Sequence, residues 1–246
     1  MSIASLLRRL VRQGLLSYYV IVAALVGKTE LLSITLSLRG LSPLLARHLL
    51  TGNYEAAERT IVSAFLTSDD RVLEVGASIG FLSLYCIKVL GVQQVALVEA
   101  NPQVCEILRR NFALNDQSPP ELLECAVAAQ SGTVSLGINH HAFASSLGRV
   151  AGEVRRIEVT SKTLGDIVAE VSFRPTVLVI DVEGAETTIK VADYLAFNKL
   201  VVEFHPEIAG FGPTANLVNS LHDGGFKEVG RMGNVGCYVR GPALNE

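Results

Sequence analysis

The pattern of apolar and polar positions divides the chain into two parts. Residues 1–66 have mostly helical periodicity, whereas short continuous apolar runs follow from Arg71 onward: VLEV, VALVEA, VLVIDV and LVVEF. Continuous apolarity indicates strands that are covered on both faces, as in parallel sheets. Helical segments separate these runs, and strand alternating with helix indicates βαβ units. The pattern therefore predicts an α/β fold with a mostly parallel sheet and additional N-terminal helices.

Two segments depart from this alternation. TVSLGI and RIEVTS alternate apolar and polar residues around a polar middle, which predicts a β insertion at about residues 130–162. After GGF at residues 224–226, the tail predicts a final pair of strands that ends in CYVRG. We expect one domain over residues 51–246 that contains this insertion, and a separate helical segment over residues 1–50.

The N-terminal segment has an amphipathic pattern. One helical face carries apolar residues and the opposite face carries arginines. The apolar residues are Leu6, Leu7, Leu10, Val11 and Leu15, and the arginines are Arg8, Arg9 and Arg12. Packing on the domain or on a second subunit of a homo-oligomer is the first interpretation, and peripheral attachment to a membrane surface is the second. The apolar stretch over residues 15–26 would span only ~18 Å as a helix, against ~30 Å of hydrocarbon, so we expect no transmembrane span.

Composition narrows the class of protein. A net charge of −3 gives no general attraction to nucleic acid. The four cysteines are scattered without a C-x-x-C pair, which argues against a zinc site and favours a reducing compartment. We therefore expect a cytoplasmic protein, with membrane association as the alternative.

The sequence VLEVGASIGFLSL predicts a strand, a glycine turn and a helix. Gly76 and Gly80 leave room for a ligand close to the backbone. A helix that begins near Ile79 would point its free N–H groups at the same place. Ala77 and Ser78 are small and keep this space open. The segment is therefore typical of a nucleotide-type binding turn.

Three interpretations of this turn compete. The G-x-G-x-x-G fingerprint of dinucleotide folds is absent. GASIG fits the G-x-S-x-G elbow of hydrolases with Ser78 as nucleophile, but that fold places several strands before the elbow. A methyltransferase turn has an acid before the glycines, and Glu74 is in that place. A carboxylate there suits S-adenosylmethionine, which carries an ammonium and a sulfonium.

The second strand supports an adenosine-containing cofactor. VALVEANP places Glu99 a little over twenty residues past the glycines, followed by Ala100 and Asn101. A carboxylate at this strand end can accept two hydrogen bonds from ribose hydroxyls. The glycine turn and Glu99 would suit any cofactor that contains an adenosine, so these two motifs do not identify the cofactor.

Five segments in order resemble the FkbM family of methyltransferases: GNYEAAE, LEVGASIGFLSL, VEANP, DVEGAE and VVEFHP. The resemblance covers roughly residues 52 to 240. It implies a class I Rossmann-like three-layer sandwich, in which a seven-stranded, mostly parallel sheet carries a C-terminal antiparallel strand. It also implies S-adenosyl-L-methionine as cofactor and methyl transfer to oxygen, often on sugars or polyketide-like natural products.

The resemblance also implies the cofactor-binding residues. Those before and in the glycine turn would surround the methionine part, Glu99 would hold the ribose, and Cys125-Ala126 would flank the adenine. At that last position this sequence departs from class I enzymes, because it offers no Asp. The implied set is Glu74, Gly76, Ala77, Ser78, Gly80, Glu99, Ala100, Asn101, Cys125 and Ala126.

Acidic residues and a histidine follow the next two strands. Asp181 and Glu183 come after VLVI, and Glu203 and His205 end the following strand. Open parallel sheets bind ligands beyond these carboxyl ends, so we expect catalytic residues here. His205 is the preferred base, since an unperturbed pKa of about 6.5 leaves it mostly neutral, and Asp181 is the alternative. Glu183 is the third candidate catalytic residue, although it could simply cap the following helix. We predict no metal site, although Asp181 with Glu183 or Glu203 could hold a divalent ion.

Three classes of function stay open at this point. An O-methyltransferase that acts on a small molecule or glycan is favoured. A methyltransferase for nucleic acid or protein ranks lower, because no N-P-P-Y-like motif follows VLVIDV and basic residues are not in excess. A non-catalytic cofactor-binding module is the third. We expect an acceptor molecule as partner and no nucleic acid.

Overall fold

The computed structural model describes residues 18–139, 145–146 and 154–241. The predictions for the N-terminal arginines Arg8, Arg9 and Arg12 and for the middle of the β insertion lie outside these ranges. None of the described helices is both long enough and apolar enough to cross a membrane.

Helices and strands alternate through most of the described chain. The helices are α1 (residues 18–26), α2 (Pro43–Leu50), α3 (Ala56–Phe65), α4 (Phe81–Lys88), α5 (Pro102–Leu114), α6 (Leu164–Glu170), α7 (Val191–Tyr194), α8 (Pro206–Ala209) and α9 (Phe211–Asp223), with a 3₁₀ helix over Ala185–Thr188. The strands are β1 (Lys28–Leu31), β2 (Ile34–Ser37), β3 (Arg71–Val75), β4 (Gln94–Val98), β5 (Glu121–Leu123), β6 (Ala126–Val127), β7 (Gly132–Asn139), β8 (Ser145–Ser146), β9 (Val154–Lys162), β10 (Val177–Ile180), β11 (Lys199–Glu203), β12 (Phe226–Met232) and β13 (Val235–Arg240).

The central sheet has seven strands in the order β12-β13-β11-β10-β3-β4-β5. Neighbours from β11 to β5 pair in parallel, and β13 pairs antiparallel with both β11 and β12. Successive residues of β3 enter opposite cores: Val72 packs with α2 to α5 on one face, and Leu73 packs with α6, α7 and α9 on the other. The class I α/β fold, with its three layers and its antiparallel C-terminal strand, is confirmed.

A smaller sheet follows β5 in the chain. β7 and β9 pair antiparallel, while β6 joins β9 and the short β8 joins β7. This sheet occupies the part of the chain where we predicted a β insertion. Leu136 and Val159 form a small core of their own with Ala126, next to the end of β5.

The helical prediction for the first 66 residues is wrong at residues 28–37, where β1 and β2 form a hairpin. Leu32 and Ser33 both have positive φ, 52° and 64°, as a two-residue hairpin turn requires. Neither residue is typical of such a turn, and the leucine spacing also fits a helix.

The hairpin is held by residues far along the chain. Asn111 Oδ1 accepts a hydrogen bond of 2.8 Å from Ser37 N. Asn115 accepts from Thr35 N at 2.9 Å and donates to Thr35 O at 2.8 Å. Because these partners lie at the end of α5, local sequence around residues 28–37 gives no signal for them.

Candidate active site

The turn after β3 packs closely against the end of β10. Gly76 has φ +89°, and its N–H and that of Ala77 donate to Val98 O at 2.9 and 3.0 Å. A Cβ on Gly76 would stand 1.8 Å from Asp181 O, so no side chain fits there. Gly80 has φ +77° and begins α4, where a Cβ would stand 2.9 Å from Leu108 Cγ. Both glycines are therefore required by close packing as well as by backbone conformation.

Glu99 joins this turn to the end of β4. It is buried, and its Oε2 accepts a hydrogen bond of 2.9 Å from Ser78 N. Its Oε1 accepts one of 2.8 Å from Asn101 N, while the Asn101 side chain caps α5. Burial raises the pKa of Glu99 to about 7, and the hydrogen bonds from Asn101 and Ser78 oppose that rise. Each carboxylate oxygen keeps lone pairs for a further donor.

A pocket opens beside Glu99. Six residues of the predicted cofactor-binding set line this pocket: Gly76, Ser78, Glu99, Ala100, Cys125 and Ala126. Seven apolar residues that were not predicted also line it: Val75, Val98, Val104, Val127, Leu136, Val182 and Ala185. Asp181 and Glu183 complete the lining at the carboxyl end of β10. Ala77, Gly80 and Asn101 are not part of the lining and support the turn and α5 instead. The alternation in TVSLGI was the signal that could have placed Leu136 here.

Glu74 lines a second, smaller cavity, together with Glu55, Glu58, Asp181 and Glu203. The Ser83 hydroxyl donates to the buried Glu74 carboxylate. Burial raises the pKa of Glu74 to about 8, and the hydrogen bond from Ser83 offsets part of that rise. Asp181 lines both cavities and so lies between them.

Tyr54 and Glu55 belong to this region but received no role from the sequence. The Tyr54 hydroxyl lies 3.0 Å from Ser78 Oγ. Glu55 has φ 46°, and its Oε2 is buried without a hydrogen-bond partner among the described residues. Burial raises the pKa of Glu55 well above its usual value. Both residues lie in GNYEAAE, a segment that supported the family resemblance without any assigned chemistry.

A cluster of acids surrounds His205 where β10 and β11 end. His205 Nε2 lies 3.5 Å from Asp181 Oδ1 and 3.7 Å from Glu183 Oε2. Glu203 Oε1 is 4.0 Å from the same nitrogen. On the other side of the ring, Nδ1 lies 3.7 Å from an oxygen of the fully buried Glu186. The strand ends thus bring together all three predicted catalytic residues.

The electrostatics of this cluster differ from the expectation for His205. Burial alone would lower the pKa of His205, but Glu186, Asp181 and Glu183 raise it to about 9. The expectation of a neutral imidazole at pH 7 is therefore wrong for the protein without ligands. The pKa is raised by carboxylates that follow β10, whereas His205 itself follows β11. In addition, His205 is 94% buried and lines neither cavity, which does not favour it as the base.

The Asp181 carboxylate is divided between two environments. Its Oδ1 is buried and has no hydrogen-bond partner among the described residues. The side chain as a whole is nevertheless 43% exposed. Oδ1 therefore faces the His205 cluster, while the residue also lines both cavities.

Comparison with known proteins points to one family. The model of the methyltransferase FkbM domain matches residues 74–227, more than half of the chain. A stretch of 74 residues is 34% identical to methyltransferase sdnD of Sordaria araneosa. That match covers 30% of this chain and 29% of the relative, less than a third of the relative's length.

Two solved structures are similar at low sequence identity. Methyltransferase FkbM from Methylobacillus flagellatus KT is 16% identical with a TM-score of 0.49, over 80% of this chain and 53% of that chain. The chain thus spans about half of that protein. Fibrillarin from Aeropyrum pernix, in complex with natively bound S-adenosyl-L-methionine, is 11% identical with a TM-score of 0.46, over 74% of this chain and 73% of that chain.

Proposed function

The chain belongs to the FkbM methyltransferase family, and we propose that it transfers a methyl group from S-adenosyl-L-methionine to a hydroxyl oxygen of a small molecule or glycan. One observation carries the proposal: Asp181 lines both the pocket beside Glu99 and the acidic cavity beside Glu74. A carboxylate therefore stands between the sites proposed for the adenosine and methionine ends of the cofactor, beside the sulfonium methyl group that lies between those ends.

The residues of the pocket fit this cofactor. Glu99 is fixed by two backbone amides, so its carboxylate is oriented before a ligand arrives, with lone pairs left for ribose hydroxyls. Leu136 and Val127 offer apolar walls for the adenine next to Cys125 and Ala126. These contacts resemble a small-molecule site with a few oriented polar groups in an apolar lining.

Glu74 and its neighbours fit the methionine end. The acidic cavity contains several carboxylates, and the charge of a bound ammonium would lower the pKa of Glu74 from about 8 and favour its ionised form. When bound, the cofactor supplies an electrophilic methyl group on a sulfonium. The protein's own contribution is to hold the acceptor oxygen in line with that methyl group and to remove the hydroxyl proton.

Asp181 is our candidate for the proton acceptor. Its side chain is 43% exposed and lines both cavities, whereas His205 is buried and lines neither. A positioned base typically contributes ~10² to 10⁴-fold to a rate. Glu183, which lines the same pocket, would orient the acceptor.

The test has two stages. The purified protein is first titrated calorimetrically with S-adenosylhomocysteine, and with NAD as the matched control. Binding of the former alone supports the cofactor assignment, and binding of neither contradicts it. Hydroxylated small molecules and glycans are then incubated with methyl-labelled cofactor, with RNA and an unrelated protein in parallel. Label in the RNA or the protein rather than in a hydroxylated acceptor would contradict the acceptor class.

The role of Asp181 is tested by Asp181→Asn. We expect cofactor binding to remain and methyl transfer to fall at least ~100-fold, in line with the loss of a general base. Unchanged turnover in this variant would exclude Asp181 as the proton acceptor.

A further inference from the structure

The ligand atoms of three residues converge at the carboxyl ends of β10 and β11. Asp181, Glu183 and His205 each offer one N or O atom, and these atoms all lie within 4.8 Å of one another. His205 Nε2 stands 3.5 Å from Asp181 Oδ1 and 3.7 Å from Glu183 Oε2. These separations are long for hydrogen bonds. Two ligands that are each ~2.1 Å from one ion lie roughly 3.0–3.5 Å apart. The separation of Asp181 from His205 matches that spacing, and Glu183 would have to move slightly inward to bind the same ion.

Two of the three residues also carry a buried polar atom without a partner. Asp181 Oδ1 and His205 Nδ1 are both buried without a hydrogen-bond partner among the described residues. His205 is 94% buried, and its Nε2 is aimed at the carboxylates. An unsatisfied buried polar group costs roughly 1–3 kcal/mol, and a native structure seldom keeps several together. A cation between Asp181 and His205 would remove this cost at Oδ1.

The charge of the cluster also favours a cation. Within the described ranges, no lysine or arginine lies within 4.0 Å of the carboxylate of Asp181 or Glu203. Both carboxylates are close to the single imidazole of His205. A cluster of carboxylates away from solvent is unfavourable unless a positive charge compensates it.

A further carboxylate lies beside the Nδ1 edge of the histidine ring and holds the His205 backbone. Glu186 is fully buried, and its two oxygens accept hydrogen bonds from Gly184 N at 2.8 Å and His205 N at 2.9 Å. Its Oε1 also lies 3.7 Å from His205 Nδ1. A carboxylate behind the distal nitrogen of a histidine is the usual support of a metal-binding imidazole, since it directs Nε2 at the ion.

We propose that Asp181, Glu183 and His205 bind one divalent transition-metal ion, of which Mn²⁺ is the representative we would test. An imidazole with two carboxylates favours Mn²⁺, Fe²⁺, Co²⁺ or Zn²⁺ over Mg²⁺ and Ca²⁺, which prefer oxygen ligands alone. The sequence alone had favoured no metal, because the chain has no compact metal-binding motif.

The catalytic meaning of this site rests on the proposed O-methyl transfer. Three protein ligands leave other coordination positions of the ion open. Because Asp181 and Glu183 line the pocket, an acceptor oxygen in the pocket can take one of these positions. A metal-bound hydroxyl loses its proton more readily. The proton passes to Asp181 Oδ2 or to water, and the oxygen lone pair forms the bond to the methyl carbon. The carbon–sulfur bond breaks with its electron pair left on sulfur, which gives a methyl ether and S-adenosylhomocysteine. The acceptor would therefore be an oxygen ligand, such as a vicinal diol.

The experiment measures metal binding directly. The metal-stripped full-length chain, saturated with S-adenosylhomocysteine, is titrated with Mn²⁺ and followed by electron paramagnetic resonance. We expect one Mn²⁺ per chain, with affinity reduced at least ~10-fold in Glu183→Gln and in His205→Asn. The matched control is Glu207→Gln, which removes an exposed acid from the same edge and should leave Mn²⁺ affinity unchanged. Thermal unfolding with and without Mn²⁺ shows that each variant is folded and whether the ion stabilises it.

The outcomes separate the two proposals. Absence of stoichiometric Mn²⁺ or Zn²⁺ binding to a chain that binds S-adenosylhomocysteine would overturn the metal site and leave the proposed function standing. If both substitutions leave Mn²⁺ binding unchanged, the bound Mn²⁺ is an adventitious ion only, and the proposed metal site is likewise overturned. Methyl transfer that persists at full rate in a chelator would overturn the catalytic role. A chain that binds Mn²⁺ but not S-adenosylhomocysteine would instead contradict the proposed function.

Discussion

The amide of Ser78 donates a hydrogen bond of 2.9 Å to Glu99 Oε2, so the glycine turn after β3 and the acid after β4 form one unit. A ligand that binds Glu99 therefore also fixes the turn. Conversely, a change in Glu99 removes the proposed ribose contact and also leaves the Ser78 amide without its partner.

Glu99→Ala should weaken binding of S-adenosylhomocysteine by about 100-fold or more. Two charge-assisted hydrogen bonds to the ribose would be lost, each worth ~1.5–3 kcal/mol. Isothermal titration calorimetry measures the change. The matched control is Glu106→Ala, since Glu106 is exposed on α5 and should leave the affinity unchanged. A Glu99→Ala protein that is folded and binds normally would show that Glu99 is not the ribose ligand.

Glu74 should make the ligand-free protein less stable at alkaline pH. Burial raises the pKa of Glu74 to about 8. Its stabilising contribution is therefore complete below the unfolded pKa, near 4.5, and is lost as the pH rises through 8. Glu74→Gln should increase the free energy of unfolding at pH 9 by as much as ~4 kcal/mol, and should change it little at pH 4.5. Urea unfolding at both pH values tests this, and an equal effect at both would contradict a raised pKa.

Gly76→Ala should unfold the site or the whole domain. The new Cβ would stand 1.8 Å from Asp181 O, at a φ of +89° that alanine rarely adopts. A loss of ~3 kcal/mol or more is expected from the combined clash and strain. Gly212→Ala is the control, because Gly212 lies in α9 with nothing within 4 Å of its added Cβ. That variant should be as stable as the parent or slightly more so in thermal unfolding.

Asn115→Ala should destabilise the protein by about 2–4 kcal/mol. Its side chain bonds to both the N–H and the C=O of Thr35 and accepts from Lys88 Nζ at 2.9 Å. These groups would lose their partner in a largely buried position. Asn216→Ala, on the exposed side of α9, is the control and should fall within ~0.5 kcal/mol of the parent in urea unfolding. Equal effects in the two variants would mean that the hairpin contributes little.

The central sheet could be predicted because its signals are local. The apolar runs of β3, β4, β10 and β11 are continuous, and the glycine turn lies directly after the first of them. Glu99 was likewise found because it follows a strand at a fixed distance from that turn. Each of these features depends on a few residues that are close together in the sequence, so the sequence alone is enough to predict them.

The parts that could not be predicted depend on distant partners. The hairpin of β1 and β2 needs Asn115, which lies 80 residues from Thr35. The pKa of His205 depends on Glu186, 19 residues earlier, which accepts the His205 amide. Tyr54 reaches Ser78 across 24 residues. In each case the sequence contains the residue but gives no information about the contact.

The sequence separation between the β1–β2 hairpin and its partners at the end of α5 has a consequence during synthesis on the ribosome. Ser37 and Asn111 are 74 residues apart, so at 5–20 residues per second the ribosome needs roughly 4–15 s to supply the partner of the Ser37 amide. An isolated two-stranded hairpin is marginally stable in water. The nascent chain therefore exposes Ile34 and Leu36, which are fully buried in the finished protein, for that interval. Early chain segments of this protein are thus expected to be clients of ribosome-associated chaperones.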